Sequence, residues 1–131
     1  MQTLIDNFLE ERRENIECQL CRSDTACVSE NIVNNPNVLT ISLLRFGYDT
    51  KNKRTIKNTK EIEIPEYIEI DKKYYKLQSL ISHKGGSASS GHYTALVKKN
   101  TGWFLYDDNN VKKSSLLKKN SDVYLLFYVK I

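Results

Sequence analysis

Apolar and polar positions change rhythm along this 131-residue chain. From Thr3 to about Arg13, Leu4, Ile5, Phe8 and Leu9 recur at three- and four-residue spacing, which predicts a short amphipathic helix. The next stretch, ENIECQLCRSDTACVSENIV, is polar and carries Cys18, Cys21 and Cys27. From Val38 the period falls to two. NVLTISLLRF sets Leu39, Ile41 and Leu43 on one side of a strand, and Val38 to Phe46 is rich in strand-formers. GYDTKNKRTIKNTK carries charge without periodicity and reads as a mobile loop. EIEIPEYIEI gives a strand stopped at Pro65 and then a second short extended run.

The last third is the most regular. YYKLQSLISH alternates, placing Tyr75, Leu77, Ser79, Ile81 and His83 on one face of a strand, and KGGSASS follows as a loop. GHYTALVK and GWFLYD are two strands joined by a turn at KNTG. DDNN is turn chemistry, SSLLKK one helical turn, and DVYLLFYVKI an apolar closing strand. The predicted class is α+β: a mostly antiparallel sheet across the C-terminal two-thirds, with a short N-terminal helix.

Composition narrows the function. With 40% hydrophobic and 27% charged residues, the chain has the make-up of an ordinary globular domain with one modest core. The net charge of +4 comes from lysines spread along the chain with acids between them, which favours a solvated surface over a nucleic-acid face. No apolar run approaches the roughly 20 residues of a membrane span. MQTLIDNFLEERR lacks the basic start and apolar centre of a secretory signal. Three cysteines do not suit a disulfide framework, and a reducing, intracellular setting fits them better.

Two groups of residues carry candidate chemistry. His92 opens one predicted strand and Asp107 closes the next, so antiparallel pairing would bring imidazole and carboxylate together. That is the base and orienting acid of a nucleophilic triad without its nucleophile. A half-exposed strand histidine beside an ordinary polar turn accounts for the same residues. Cys18 and Cys21 have the spacing of one zinc knuckle, half of a four-ligand site; unpaired structural thiols are the alternative.

Five motifs in order give the chain a resemblance to the ubiquitin-specific proteases, the cysteine deubiquitinases of papain-like fold. NIECQLC followed by NNPNVLTISLLRF resembles the second finger cysteine pair and the L-x-R-F strand. YYKLQSLISHKGG resembles the strand that carries a first histidine into a glycine-rich loop, and GHYTALVK the histidine box. WFLYDDNNV resembles the stretch that supplies the triad acid, and DVYLLFYVK the closing strand. The resemblance implies the C-terminal part of a catalytic domain, with residues 1–36 a finger-proximal segment and 37–131 a palm sheet with the histidine box. It implies His92 as general base, Asp107 as its orienting acid and Asp108 in support. Gly91 and Tyr93 would line the channel for ubiquitin's C-terminal glycines, with His83 beside it. Residues Gly47–Thr59 and Lys84–Ser90 would flank that tail. A slot admitting only glycine excludes every side chain by clash.

The resemblance further implies ubiquitin or ubiquitinated proteins as partners, with neither nucleic acid nor membrane, and a cytoplasmic or nuclear location. No cofactor is needed for the chemistry, and a structural zinc at Cys18 and Cys21 would be completed by residues outside this chain. The family's nucleophile sits in a G-N-T-C-Y-type box, which does not occur here, and Cys27 falls in the finger segment. The nucleophile is therefore expected outside this chain. Three accounts remain open: part of a longer protease, a ubiquitin-binding or scaffold module, and a fold-level likeness serving another role such as a basic nucleic-acid adaptor.

Overall fold

A computed structural model describes residues 1–10, 12–14, 17–23, 26–28, 32–87 and 90–131, the side chains of 12–14 and 26–28 excepted. The chain folds as two units, Met1–Asn35 and Pro36–Ile131. In the first, helix α1 (Gln2–Leu9) precedes an antiparallel pair of short strands, β1 (Arg12–Glu14) and β2 (Ala26–Val28). The helix stops short of the Arg13 expected from its periodicity. Glu10 is already extended at ψ 139°, and no basic residue lies in the last turn to complement the helix's negative end.

The second unit holds β3 (Val38–Ser42), β4 (Phe46–Asp49), β5 (Arg54–Lys57), β6 (Ile62–Glu63), β7 (Tyr67–Ile70) and β8 (Lys73–Ser87). It continues with β9 (Ser90–Lys99), β10 (Gly102–Asp107), β11 (Asn110–Ser114), β12 (Lys119–Asn120) and β13 (Val123–Lys130). Seven strands form one antiparallel sheet in the order β11-β10-β9-β8-β13-β3, with β7 also on β8. Tyr75, Leu77, Val123, Leu126 and Tyr128 are fully buried at its centre, with Ile64, Ile68 and Ile70 beside them. Both buried tyrosines keep their hydroxyls bonded, Tyr75 to the Pro36 carbonyl at 3.1 Å and Tyr128 to the Pro65 carbonyl at 2.9 Å.

Four local expectations for this unit are corrected. The charged stretch after Phe46 is a hairpin, β4–β5, rather than a structureless loop. Its turn is built by Asp49, whose carboxylate accepts from the backbone N–H of Lys51 (3.0 Å) and Asn52 (3.2 Å) and from the Asn52 side chain (2.7 Å). SSLLKK forms no helical turn. Ser114 ends β11, the Lys118 carbonyl accepts from the Ile64 N–H at 2.9 Å, and Lys119 and Asn120 pair with β6. These lateral bonds occupy the backbone groups that a helical turn would need.

The third correction bears on the site. The register of β8 on β13 slips between Ser79 and Leu77, which face the consecutive residues Phe127 and Tyr128. A one-residue slip moves every later side chain to the other face. Tyr75 and Leu77 are buried before it, Leu80 and Ser82 after it. His83 therefore does not share the face of Tyr75 and Leu77, as strict alternation predicted. The glycine segment is also less open than expected: β8 runs to Ser87, β9 starts at Ser90, and Ser87 pairs with Ser90. The rest of that turn, Ala88 and Ser89, lies outside the described residues.

Candidate active site

Strand pairing sets the two faces on which the site is built. On β9, Thr94 opposes Ser82 and Leu96 opposes both Leu80 and Leu105, so His92, Thr94 and Leu96 share a face with the alternate residues of β10 that end at Asp107. Tyr93 opposes His83 and points the other way.

On the first face, His92 Nε2 meets Asp107 Oδ1 at 2.5 Å. The two residues lie on adjacent strands, the geometry that the spacing of GHYTALVK and WFLYD required. Their side chains are 44% and 38% exposed, so solvent reaches the pair. The hydrogen bond to Asp107 is the main reason that His92 holds its proton more tightly than an ordinary imidazole. Partial burial opposes this, the charges of Asp107 and Asp108 add to it, and Lys84 opposes it. The same bond holds the Asp107 carboxyl below the usual range, against partial burial and with help from His92, Lys84 and Lys112. Asp108, in the turn after β10, adopts a positive φ of 50° and makes its contribution through charge.

On the second face, His83 is 1% exposed. Its ring packs edge-on against Phe46 at 5.2 Å and tilted against Tyr93 at 4.7 Å, with Tyr124 closing the cluster 5.5 Å from Phe46. Its Nδ1 has no hydrogen-bond partner among the described residues. Gly91 lies flat against this ring. A Cβ there would stand 2.2 Å from His83 Nε2 and 2.6 Å from the Lys84 carbonyl. At Gly85, φ is +146° and a Cβ would meet the Ser90 carbonyl at 2.7 Å. Within the chain, the glycine requirement at Gly91 is thus set by the His83 ring and the Lys84 carbonyl together. Tyr93 is half exposed, its outer edge open beside the hairpin cluster.

Two charged residues important to the site have roles that the sequence did not disclose. Arg45, 5% exposed, donates to the carbonyls of Asn58 at 2.8 Å and Lys60 at 2.9 Å, and also to that of Val123. Burial lowers its pKa, opposed by Asp122. Lys57, whose side chain is 1% exposed, binds Asp122 at 2.9 Å and donates to the carbonyl of His83. Together they fasten both ends of the β4–β5 hairpin beside the ring cluster. The only sequence hint was a lone arginine between Leu44 and Phe46. Lys57 gave none, because its burial depends on partners 26 and 65 residues away.

In the first unit, the turn at Cys18 is closed by Cys18 N–H to the Ser23 carbonyl and Arg22 N–H to the Cys18 carbonyl, both 2.8 Å. The Cys18 thiol is drawn below its ordinary pKa by the backbone N–H of Cys21, then that of Leu20, then the Cys21 side chain. Backbone donors aimed at one sulfur in a tight turn favour its thiolate form. The side chain of Cys27 lies outside the described residues.

A family model described as ubiquitin carboxyl-terminal hydrolase matches residues 1–128. Ubiquitin carboxyl-terminal hydrolase 7 of Saccharomyces cerevisiae is 36% identical over 122 residues, covering 77% of this chain and 11% of that protein. Probable ubiquitin carboxyl-terminal hydrolase 8 of Schizosaccharomyces pombe is 30% identical over 137 residues, covering 98% of this chain and 30% of that protein. Among solved structures, a yeast SAGA DUBm with a mutant Sgf73 matches with a TM-score of 0.86 at 30% identity, over 98% of this chain and 32% of that one. The SAGA DUB module Ubp8/Sgf11/Sus1/Sgf73 bound to monoubiquitin matches with a TM-score of 0.79 at 29% identity, over 97% of this chain and 31% of that one. This chain spans less than a third of each of these proteins. By the family model along its length and the sheet it shares with these structures, this chain belongs to the ubiquitin carboxyl-terminal hydrolase family, as a ubiquitin-specific protease.

Proposed function

We propose that this chain is the His/Asp-bearing, C-terminal part of a thiol-dependent deubiquitinase, which hydrolyses isopeptide or peptide bonds after ubiquitin's C-terminal glycine. One observation carries the reading: Asp107 engages His92 through Nε2, which leaves Nδ1 to face a nucleophile. In this scheme Nδ1 takes the proton of a thiol supplied from outside these residues, and the thiolate attacks the carbonyl carbon of ubiquitin's last glycine. His92 then protonates the departing amine as the C–N bond breaks. The resulting thioester is hydrolysed by a water that gives its proton to the same nitrogen. Asp107 holds the ring orientation and favours the imidazolium formed in between, and Asp108 adds negative charge. Tyr93 would border the channel for ubiquitin's tail, with Gly91 and His83 forming its packed floor. Cys18 and Cys21 would hold one edge of a structural zinc, which fixes the local fold and takes no part in the reaction.

The family membership and the monoubiquitin-bound neighbour support this reading. An electrophile built on ubiquitin's C-terminus tests it. The chain alone should turn over no conjugate, and Cys18, Cys21 and Cys27 should resist rapid labelling. Adding a polypeptide with the family's thiol-and-asparagine box should restore turnover, and His92→Ala should abolish it again. Rapid labelling of any of the three cysteines, or restored turnover indifferent to His92→Ala, would overturn the assignment.

A further inference from the structure

His92 has a charged neighbour that the acid–base pair does not use. Lys84 on β8 stands directly opposite His92 across the β8–β9 ladder, the last regular pair before the register breaks at the glycine turn. Directly opposed residues of an antiparallel ladder project to one face, with Cβ atoms about 4.5–5.5 Å apart. Lys84 is exposed and the His92 side chain 44% exposed, so neither is fixed by core packing. Three adjacent strands thus present an acid, a base and a cation in a row: Asp107 on β10, His92 on β9 and Lys84 on β8.

We propose that Lys84 is a positioning residue of this site, whose cation across the strand from His92 limits how firmly the imidazole keeps its proton. The charges that face the ring are few. Asp107 and Asp108 draw a proton onto it, Lys84 resists, and Lys112 on β11 acts on Asp107. Two carboxylates without a counter-charge would hold the ring as imidazolium over a wide pH range. A general base works best when its pKa lies near the working pH, so the opposing cation keeps the base form available. Lys84 also favours an anion on this face, which includes a thiolate brought to Nδ1. That consequence rests on the deubiquitinase reading; the electrostatic coupling does not.

The test is a titration of the His92 ring resonances by NMR in the whole chain, at low salt and at 1 M salt. Lys84→Met should move the midpoint upward, Lys84→Arg should return it, and Lys112→Met should leave it in place. The Lys84→Met shift should shrink at 1 M salt, where the screening length is about 3 Å. An unchanged or lowered midpoint in Lys84→Met would overturn the proposal. So would an equal shift in Lys84→Arg, or one indifferent to salt, because either would mean packing rather than charge. The titration needs neither ubiquitin nor a nucleophile. Its failure therefore leaves the deubiquitinase reading standing, and failure of the electrophile experiment leaves the coupling standing.

Discussion

With Nε2 bonded to Asp107, His92 has one nitrogen left to work with. The pair's pH behaviour follows from the two opposite shifts. His92's pKa is raised above 6.5, so its contribution is full below that value and disappears as pH rises through the raised one. Asp107's pKa is lowered from 3.8, so its contribution is full above that value and disappears as pH falls through the lowered one. The ion pair is therefore strongest from mildly acidic pH to near neutrality. Asp107→Asn should lower the His92 midpoint towards an ordinary imidazole, read by NMR. In enzyme completed with its nucleophile, it should cut turnover by roughly 10²–10⁴-fold, since the ring loses its orienting charge. This pair was legible in the sequence because two short strands joined by a tight turn leave little freedom of register. The face that His83 occupies and the carbonyl-binding role of Arg45 were not. The former follows from a slipped register, and the latter joins residues 78 apart.

Among the elements, β4–β5 departs furthest from its sequence reading. A run of charged residues suggested a loop, yet the side chain of one lysine in that run is almost wholly buried. Its ammonium bonds the His83 carbonyl just past the end of the β8–β13 ladder, where no strand residue is left to do so. Lys57→Met should leave that carbonyl and Asp122 without their donor, at a cost of about 1–3 kcal/mol. The figure takes account of Asp122 being 37% exposed and partly hydrated. Chemical denaturation of the chain should show the loss, and hydrogen exchange should quicken across residues 46–57. Strands β9 and β10 were legible because each keeps a period of two within its length, and β13 because it is an unbroken run of apolar strand-formers, although its register on β8 also slips between Val123 and Leu125. β8 was legible as a strand but not in its phase, because a slipped residue leaves no mark on the pattern of apolar positions.

At the scale of the whole molecule, the sheet carries its acid–base pair on one face and its aromatic cluster on the other. The mild positive charge allowed a nucleic-acid role, and the proposed function predicts against it. Labelled chain titrated with free ubiquitin should show weak, saturable shifts at Tyr93, in the β4–β5 hairpin and in Lys84–Ser90, reduced when ubiquitin lacks its last two glycines. A short oligonucleotide should bind only loosely, with affinity collapsing as salt rises. Oligonucleotide binding in the absence of any ubiquitin response would reduce the family membership to ancestry. The general plan of strands was readable because alternation is local. What lies between the strands was not, because it is fixed by contacts distant in sequence. The two-faced sheet also has an evolutionary consequence. His92 and Tyr93 are adjacent in the chain yet serve opposite faces, so deleting one residue inside β9 would exchange the two sides and disable both at once. Length changes in this lineage should therefore be confined to turns such as Asn100–Thr101, while β9 tolerates substitution but neither gain nor loss of a residue.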